Sequence, residues 1–495
     1  MHRQKLVNFI AKQAYDAPMM ASEKNLRQKL AALSQKTSCL DPTPEQFSNW
    51  LSYVAEHCAQ FREDLHVGKV SFPDQDYSGK LPKFANPPQS FQSAIDTFFH
   101  SLQSGFNPSS GRFFGYVPGG GVPIAAIADF IAALTNRYAG VYRASPIAAE
   151  IENECIRWLV QQVGFGEQAW GNLTSGGTTA ILSALIAARE SHKPDGKDAR
   201  VIYMSSETHR ALHKAIHIAG LSHLTYREIP VNTEGQIKTN KLLEQIDADQ
   251  SQGLIPWFLG ANAGTVNTGA VDDLQSLGNI CKQHDIWFHV DGAYGGCFLL
   301  TEQGKSLLNG IQNADSVVLD PHKGFFLPYG TGAVLIKEGK HLKMAFKDPK
   351  VADYLQDVLD LDNPSPADYS PELTRHFRGL RLWLLLQIYG SEVLEATLQE
   401  KLYLAQYAYE KLIDHPKIIL GPKPQLSIVT YRLADNHSTQ LHLNHLLAEG
   451  SVHMSTTKIG NDLFIRICIL NFRSHLREVD HLLDKINAAL QSIAD

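Results

Sequence analysis

Three stretches of this chain carry side chains whose types and spacing could do chemistry. In SVVLDPHKGFFLPYGTGAVLIK (316–337), Lys323 follows a run of strand formers and is flanked by Phe325, Phe326 and Leu327. An amine in apolar surroundings loses the solvation of its ammonium form, so its pKa falls and the free base becomes a nucleophile. The commoner case for any single lysine is a surface loop. In IWFHVDGAYGG (286–296), Asp291 closes a strand-like run. A carboxylate there is costly unless a cation meets it, and a protonated ring nitrogen, a magnesium ion or a buried arginine would each serve. In GNLTSGGTTAILSALIAARE (171–190), Thr174, Ser175, Gly176, Gly177, Thr178 and Thr179 precede an apolar helix. Glycines let the backbone approach a ligand, free N–H groups at a helix start favour an anion, and hydroxyls add donors. An ordinary loop and N-cap has the same composition, and the stretch is neither a Walker motif nor GxGxxG. His209, His213 and His217 recur every four residues, but no HExxH or nearby acid completes a site, so no metal is expected.

The elements that must position these residues alternate between about 150 and 340. VIYM (201–204), HLTYREIPV (223–231), IPWFLGANAG (255–264), IWFHVD (286–291), SVVLD (316–320) and GAVLIK (332–337) read as strands. HRALHKAIHIAG (209–220), NKLLEQIDA (240–248) and DDLQSLGNICKQHD (272–285) read as helices between them. That alternation predicts an α/β layer with a mostly parallel sheet, whose ligands bind beyond the carboxyl ends of the strands. Asp291 and Lys323 fall at two such ends. Residues 1 to about 100 are polar and helical, with clear periodicity over 22–35 and 43–61, and 67–93 reads as a linking segment. Residues 341–374, rich in proline and acids, are predicted to form a mobile excursion. An apolar helix opens at 377–390, and the rest reads as a smaller α+β unit with strands near 426–432 and 463–469.

Composition narrows the classes. The 495 residues carry 45 Lys and Arg against 51 Asp and Glu, a net charge of −6, which leaves no cationic surplus for nucleic acid. With 44% apolar and 19% charged residues the chain is not a mostly disordered one. Six cysteines without a CxxC pair read as reduced thiols of a cytoplasmic protein. No membrane association is expected, because the N-terminus lacks a signal-peptide core and the longest apolar run, 123–134, is too short for a bilayer.

An anion cradle, a strand-end acid and a lysine within one α/β unit together suit pyridoxal 5′-phosphate, which needs a phosphate seat, a partner for its ring nitrogen and a Schiff-base amine. With RFFGYVPGG (112–120), ASPIAAEIENECIRWL (144–159), NLTSGGTTA (172–180), HVDGAYGG (289–296), DPHKG (320–324) and RHFRGLRLW (375–383), the chain resembles the pyridoxal-phosphate-dependent (group II) amino-acid decarboxylases. The resemblance spans about 110 to 385. It implies an aspartate-aminotransferase-like α/β fold (fold type I): a large domain with a mostly parallel seven-stranded sheet, a helical N-terminal segment and a small α+β C-terminal domain. The expected bounds are 1–122 for a dimerisation segment, 123–380 for the cofactor domain and 381–495 for the small domain.

The resemblance also implies roles. Lys323 would form the Schiff base, His322 would sit beside the phosphate, Asp291 would keep the ring nitrogen protonated, and Ala293 would pack against the ring. His209 would stack on the cofactor face, Thr265 would lie near it, and Gly176, Gly177 and Thr178 would bind the phosphate. Tyr354, within the excursion, would protonate the substrate carbon while the excursion acts as a lid. Tyr116, Val117, Pro118 and Tyr138 match apolar or aromatic pocket positions, which favours an aromatic or apolar L-amino acid; Arg112 or His376 would instead suit an acidic one. Ser110-Gly111, and Thr374 and His376 around Arg375, depart from the pattern of many relatives near that pocket. The expected activity is α-decarboxylation by a homodimer. An acidic- or diamino-acid decarboxylase, another fold-type-I enzyme such as an aminotransferase or lyase, and a non-catalytic binding protein are the alternatives.

Overall fold

The structure, a computed structural model, describes residues 23–72, 84, 88–191, 198–347 and 363–492. Its contacts divide the chain into two units, one of Met1–Asp64 with Asp76–Gln103 and one of Leu65–Gln75 with Ser104–Asp495.

The first unit is helical. A helix over 23–37 is followed by α1 (Pro44–Val67) and α2 (Phe91–Ser101). A reciprocal capping box starts α1: the Gln46 N–H donates to Thr43 Oγ1 (3.2 Å) while the Thr43 N–H donates to Gln46 Oε1 (3.1 Å). Trp50 stacks on Phe91 at 4.9 Å, and the Tyr53 hydroxyl donates to Asp96 (2.6 Å). Leu26, Leu30 and Leu33, spaced as one helical stripe, are all exposed.

In the second unit seven strands form one sheet: β1 (Trp170–Thr174), β2 (Arg200–Ser205), β3 (Thr225–Ile229), β4 (Ile255–Asn262), β5 (Trp287–Gly292), β6 (Ser316–Leu319) and β7 (Gly332–Ile336). Their order is β1-β7-β6-β5-β4-β2-β3; β7 runs antiparallel to both its neighbours and the other pairings are parallel. Helices cover both faces, so the inner strands are buried on both sides, whereas the edge strand β3, TYREI, alternates half-buried and exposed residues. In β6, Val317 and Leu319 enter one core while Val318 enters the other. Helix α3 (Pro123–Thr135) precedes α4 (Pro146–Val163), which packs on β1, and α5 (Gly177–Ser191) lies against β6 and β7. Then α6 (Arg210–Ile218), α7 (Thr239–Ser251) and α8 (Leu274–Gln283) fall between successive strands. The expected strands and helices lie within a few residues of these bounds.

A long helix, α9 (Gly379–Leu412), is interrupted at Gly390, where φ is +71°, a value that suits glycine. It leads to an antiparallel sheet of β8 (Ile419–Leu420), β9 (Ile428–Arg432), β10 (Ser455–Ile459) and β11 (Asp462–Cys468), ordered β8-β9-β11-β10. With α10 (Asn436–Ala448) and α11 (Leu476–Ser492) it encloses a separate core containing Leu404, Ala408, Tyr431, Ile465, Ile467 and Leu482. Strands β1, β8 and β10 have no counterpart in the sequence reading. Much of the expected excursion, Tyr354 included, lies outside the described residues. Among the described residues no helix is long and apolar enough to cross a membrane.

Candidate active site

Strand β6 ends at Leu319, and the chain turns at once through Asp320 into a short helical turn, Pro321–Gly324, which carries His322 and Lys323. A proline at the start of that turn is pre-set for helical φ and needs no N–H partner. The turn brings Lys323 Nζ to 2.9 Å from Asp320 Oδ2; the Asp320 side chain is 2% exposed and that of the lysine 24%. The expected drop in lysine pKa is not found. Burial does pull it down, but the Asp320 carboxylate, helped by Asp291, outweighs burial and holds the amine above its ordinary value. The two phenylalanines that follow are buried against other rings. Phe325 packs on Trp158 (5.4 Å) and Phe326 on Phe472 (6.0 Å).

Asp291, at the end of β5, pairs with Val318 of β6 and Asn262 of β4. Its Oδ1 accepts the Ala293 N–H at 3.1 Å, which fixes the carboxylate at the strand end. Asp291 and Lys323 both act electrostatically on His209, so the three side chains belong to one site. His209 does not continue the helix that follows it. It is the N-cap of α6, where Nδ1 accepts the Ala211 N–H (3.2 Å). The expected histidine stripe therefore separates, with His213 edge-on to Tyr226 and His217 Nδ1 meeting Ser222 Oγ at 3.3 Å.

Gly176, Gly177 and Thr178 join β1 to α5 beside this set. A Cβ on Gly176 would lie 3.4 Å from His322 Cε1, and one on Gly177 would lie 3.0 Å from Asp320 Oδ2 and 3.4 Å from the Ala293 Cβ. A Cβ on Gly332 would come within 2.6 Å of the Gly176 Cα. Small residues are required because three strand ends converge here. His322 Nδ1 donates to the Thr331 carbonyl (2.7 Å), and burial keeps the imidazole below its ordinary pKa. Arg381 from α9 fixes that carbonyl's residue: Nη1 donates to Thr331 Oγ1 (2.7 Å) while Nε pairs with Asp129 of α3 (2.6 Å).

Other expected residues fall differently. Thr265 is buried in the turn after β4, where its Oγ1 accepts the Ala270 N–H (3.1 Å) and meets Thr268 Oγ1 (3.2 Å); its contacts are internal to that turn. Tyr116 has φ +53° and is 56% exposed. Val117 and Pro118 are buried and lead into Gly119, where a Cβ would lie 2.3 Å from the His322 carbonyl oxygen. The Tyr138 hydroxyl donates to the Leu373 carbonyl (3.3 Å).

Besides Arg381, two residues escaped the sequence reading. Asp320 is the nearest partner of Lys323, and Arg466 of β11 is a buried clamp. Arg466 Nε donates to the Val266 carbonyl (2.6 Å) and Nη1 to the Tyr116 carbonyl (2.5 Å), while the buried Nη2 has no hydrogen-bond partner among the described residues. Cys468 senses both Arg466 and Lys323. The signal was available in LFIRICIL, where one charge interrupts an apolar strand just as Asp291 does.

The donor set fits pyridoxal phosphate. An amine is present for its aldehyde, a strand-end carboxylate for its ring nitrogen, and the N–H groups at the start of α5 for its phosphate. The family model for the pyridoxal-dependent decarboxylase conserved domain matches residues 73–434. An aromatic-L-amino-acid decarboxylase of Bacillus atrophaeus is 32% identical over 395 residues, 77% of this chain and 82% of that protein. Tryptophan decarboxylase 2 of Oryza sativa subsp. japonica is 27% identical over 78% of this chain and 83% of that protein. The fold is shared with the crystal structure of Oryza sativa TDC with PLP and tryptamine, with TM-score 0.86, 19% identity, and coverage of 92% of this chain and 99% of that one. The chain belongs to the pyridoxal-dependent decarboxylase family, carboxy-lyases whose cofactor is pyridoxal phosphate.

Proposed function

We propose that the substrate is an aromatic L-amino acid, decarboxylated at Cα to its amine and CO₂, with Lys323 as the cofactor-bearing residue. The observation that carries this is the Lys323 amine paired with the Asp320 carboxylate, in the field of Asp291, at the carboxyl edge of the sheet beside the glycine-lined start of α5. The aromatic preference is supported by the names of the two relatives above. It is also supported by the rings around Tyr116, which lies 5.6 Å from Phe106 and 6.2 Å from Phe113.

When bound, pyridoxal phosphate supplies an electron sink for the pair released as the carboxylate leaves. This chain's residues bind and orient. The N–H groups of Gly176, Gly177 and Thr178, with His322, would seat the phosphate. Asp291 would face the ring nitrogen as an anion, with His209 and Ala293 on the ring's two sides and Thr265 near it. Arg466, buried and with Nη2 unpartnered among the described residues, would draw the substrate carboxylate toward the pocket of Tyr116, Val117, Pro118 and Tyr138. Tyr354, which lies outside the described residues, would deliver a proton to Cα, and the 341–374 excursion would exclude water.

The reading extends to assembly. On α3, Ile127, Phe130, Ile131 and Leu134 are exposed at helical spacing, as are the leucines of helix 23–37. Such stripes suit a homodimer, with 1–122 as its dimerisation segment, 123–380 as the cofactor domain and 381–495 as the small domain. All six cysteines are free thiols, in keeping with a cytoplasmic protein. The test is CO₂ release by pure holoenzyme from each of the common amino acids. Fastest turnover with tryptophan, tyrosine or phenylalanine is expected; preference for glutamate or a diamino acid would overturn the substrate reading.

A further inference from the structure

We propose that Asp320 is the proton partner of Lys323, a positioning residue that holds the lysine as an ammonium while it is free and takes up its proton when the amine must act as a nucleophile. The inference rests on the reading of Lys323 as the cofactor-bearing lysine.

The geometry is particular to this turn. Asp320 and Lys323 stand three residues apart across Pro321–Gly324, with Nζ and Oδ2 at 2.9 Å. Among the described residues the buried Asp320 Oδ1 has no hydrogen-bond partner, and Oδ2 sits 3.8 Å from His322 Nε2. The step moves one proton: an N–H bond of the ammonium breaks, its electron pair stays on nitrogen, and an O–H bond forms on Asp320. The pair passes from plus and minus to neutral and neutral, so the buried site changes no net charge.

Asp291 is less suited to the task. Its Oδ1 is engaged by the Ala293 N–H. Once Lys323 is neutral, Asp320 is a carboxylate 2% exposed, and His322, the other basic group within ion-pair distance, is kept neutral by burial. With Nζ 2.9 Å from Oδ2, the Asp320 carboxylate is the acceptor within reach of the ammonium proton. The groups that face Lys323 are the Asp320 and Asp291 carboxylates, the Cys297 and Cys468 thiols, Tyr329 and His209; Arg381 reaches the set through His322.

The test is lysine acylation as a function of pH, read by peptide mass spectrometry on the full chain resolved from its cofactor. In the wild type the Lys323 profile should have its midpoint above that of exposed Lys340; a midpoint below it overturns the proposal. Asp320→Asn should lower the Lys323 midpoint by at least one pH unit, so that labelling below both midpoints rises about tenfold. An unchanged midpoint in a folded variant overturns the proposal. Buried Lys401, whose Nζ donates to the Ser474 carbonyl (2.6 Å), reports on the fold and should label identically in both proteins. Should the variant not fold, the wild-type comparison with Lys340 decides alone. A parallel borohydride reduction of wild-type holoenzyme separates the two levels. Cofactor trapped on another lysine overturns the reading and the inference together, whereas cofactor on Lys323 with an unmoved midpoint overturns the inference only.

Discussion

The pair of Glu152 on α4 and Arg375 offers the sharpest test of how the large domain is held. Their side chains are 1% and 0% exposed, and Arg375 Nη1 lies 2.5 Å from Glu152 Oε1. Arg375 Nη2 also donates to Asn172 Oδ1 (3.1 Å) and to the Leu173 carbonyl (2.5 Å), both on β1, and the Leu173 N–H donates to Glu152 Oε1 at 3.4 Å. The pair therefore pins the edge strand that leads into Gly176 and Gly177. Changing Glu152→Met leaves a buried guanidinium with only neutral acceptors, and removing one partner of such a pair costs about 3–5 kcal/mol. Changing Arg375→Met strands a carboxylate whose Oε2 has no hydrogen-bond partner among the described residues, and a cost of about the same 3–5 kcal/mol is expected. In the double variant neither charge is left alone, so its loss should fall short of the sum by about 3 kcal/mol. Denaturant unfolding of all four proteins at pH 7 and low salt measures that coupling. Losses that add to within ~0.5 kcal/mol would refute the claim that the two charges hold each other.

Two further outcomes follow from burial. His289 on β5 is 1% exposed, with its Nδ1 2.8 Å from Ser316 Oγ and its pKa pushed down to about 4 by burial. The folded state then refuses a proton that the unfolded chain accepts below about 6.5, so stability should fall by ~3 kcal/mol as pH drops from about 6.5 to about 4 and then level off. His289→Gln should flatten that part of the pH–stability curve, and an unchanged slope would count against the assignment. For assembly, Ile131→Asp with Leu134→Asp on the exposed face of α3 should turn a dimer into a monomer in light scattering, while a dimer of undiminished affinity would place the interface elsewhere.

Much of this was legible before any coordinates. Strands β2 and β4 to β7 announce themselves because both of their faces are buried, which leaves largely apolar runs between turn residues, while the edge strand β3, TYREI, shows itself by β-formers alternating with charges. Strand β1 did not: in WGNLT, glycine, asparagine and threonine read as a loop, and only its pairing with β7 makes it a strand. Strand β10, STTKI, is half-exposed and owes its existence to β11. In the site, Asp291, Lys323 and the glycines were visible as local exceptions to their surroundings. The surroundings themselves were misread at Lys323, since sequence proximity suggested an aromatic sheath where the rings turn into the core and an acid three residues upstream takes their place. Arg466 and Arg381 were invisible as site residues because their meaning lies in partners remote in the chain, Tyr116 and Thr331.

The central claim is that Lys323 carries the cofactor. Holoenzyme reduced with borohydride, digested and mapped by mass spectrometry should show the pyridoxyl-phosphate adduct on the peptide containing DPHKG, with Lys323→Ala giving no adduct and no visible absorption from the lysine–cofactor bond. An adduct on another lysine of the wild type, or full absorption and turnover in Lys323→Ala, would contradict it.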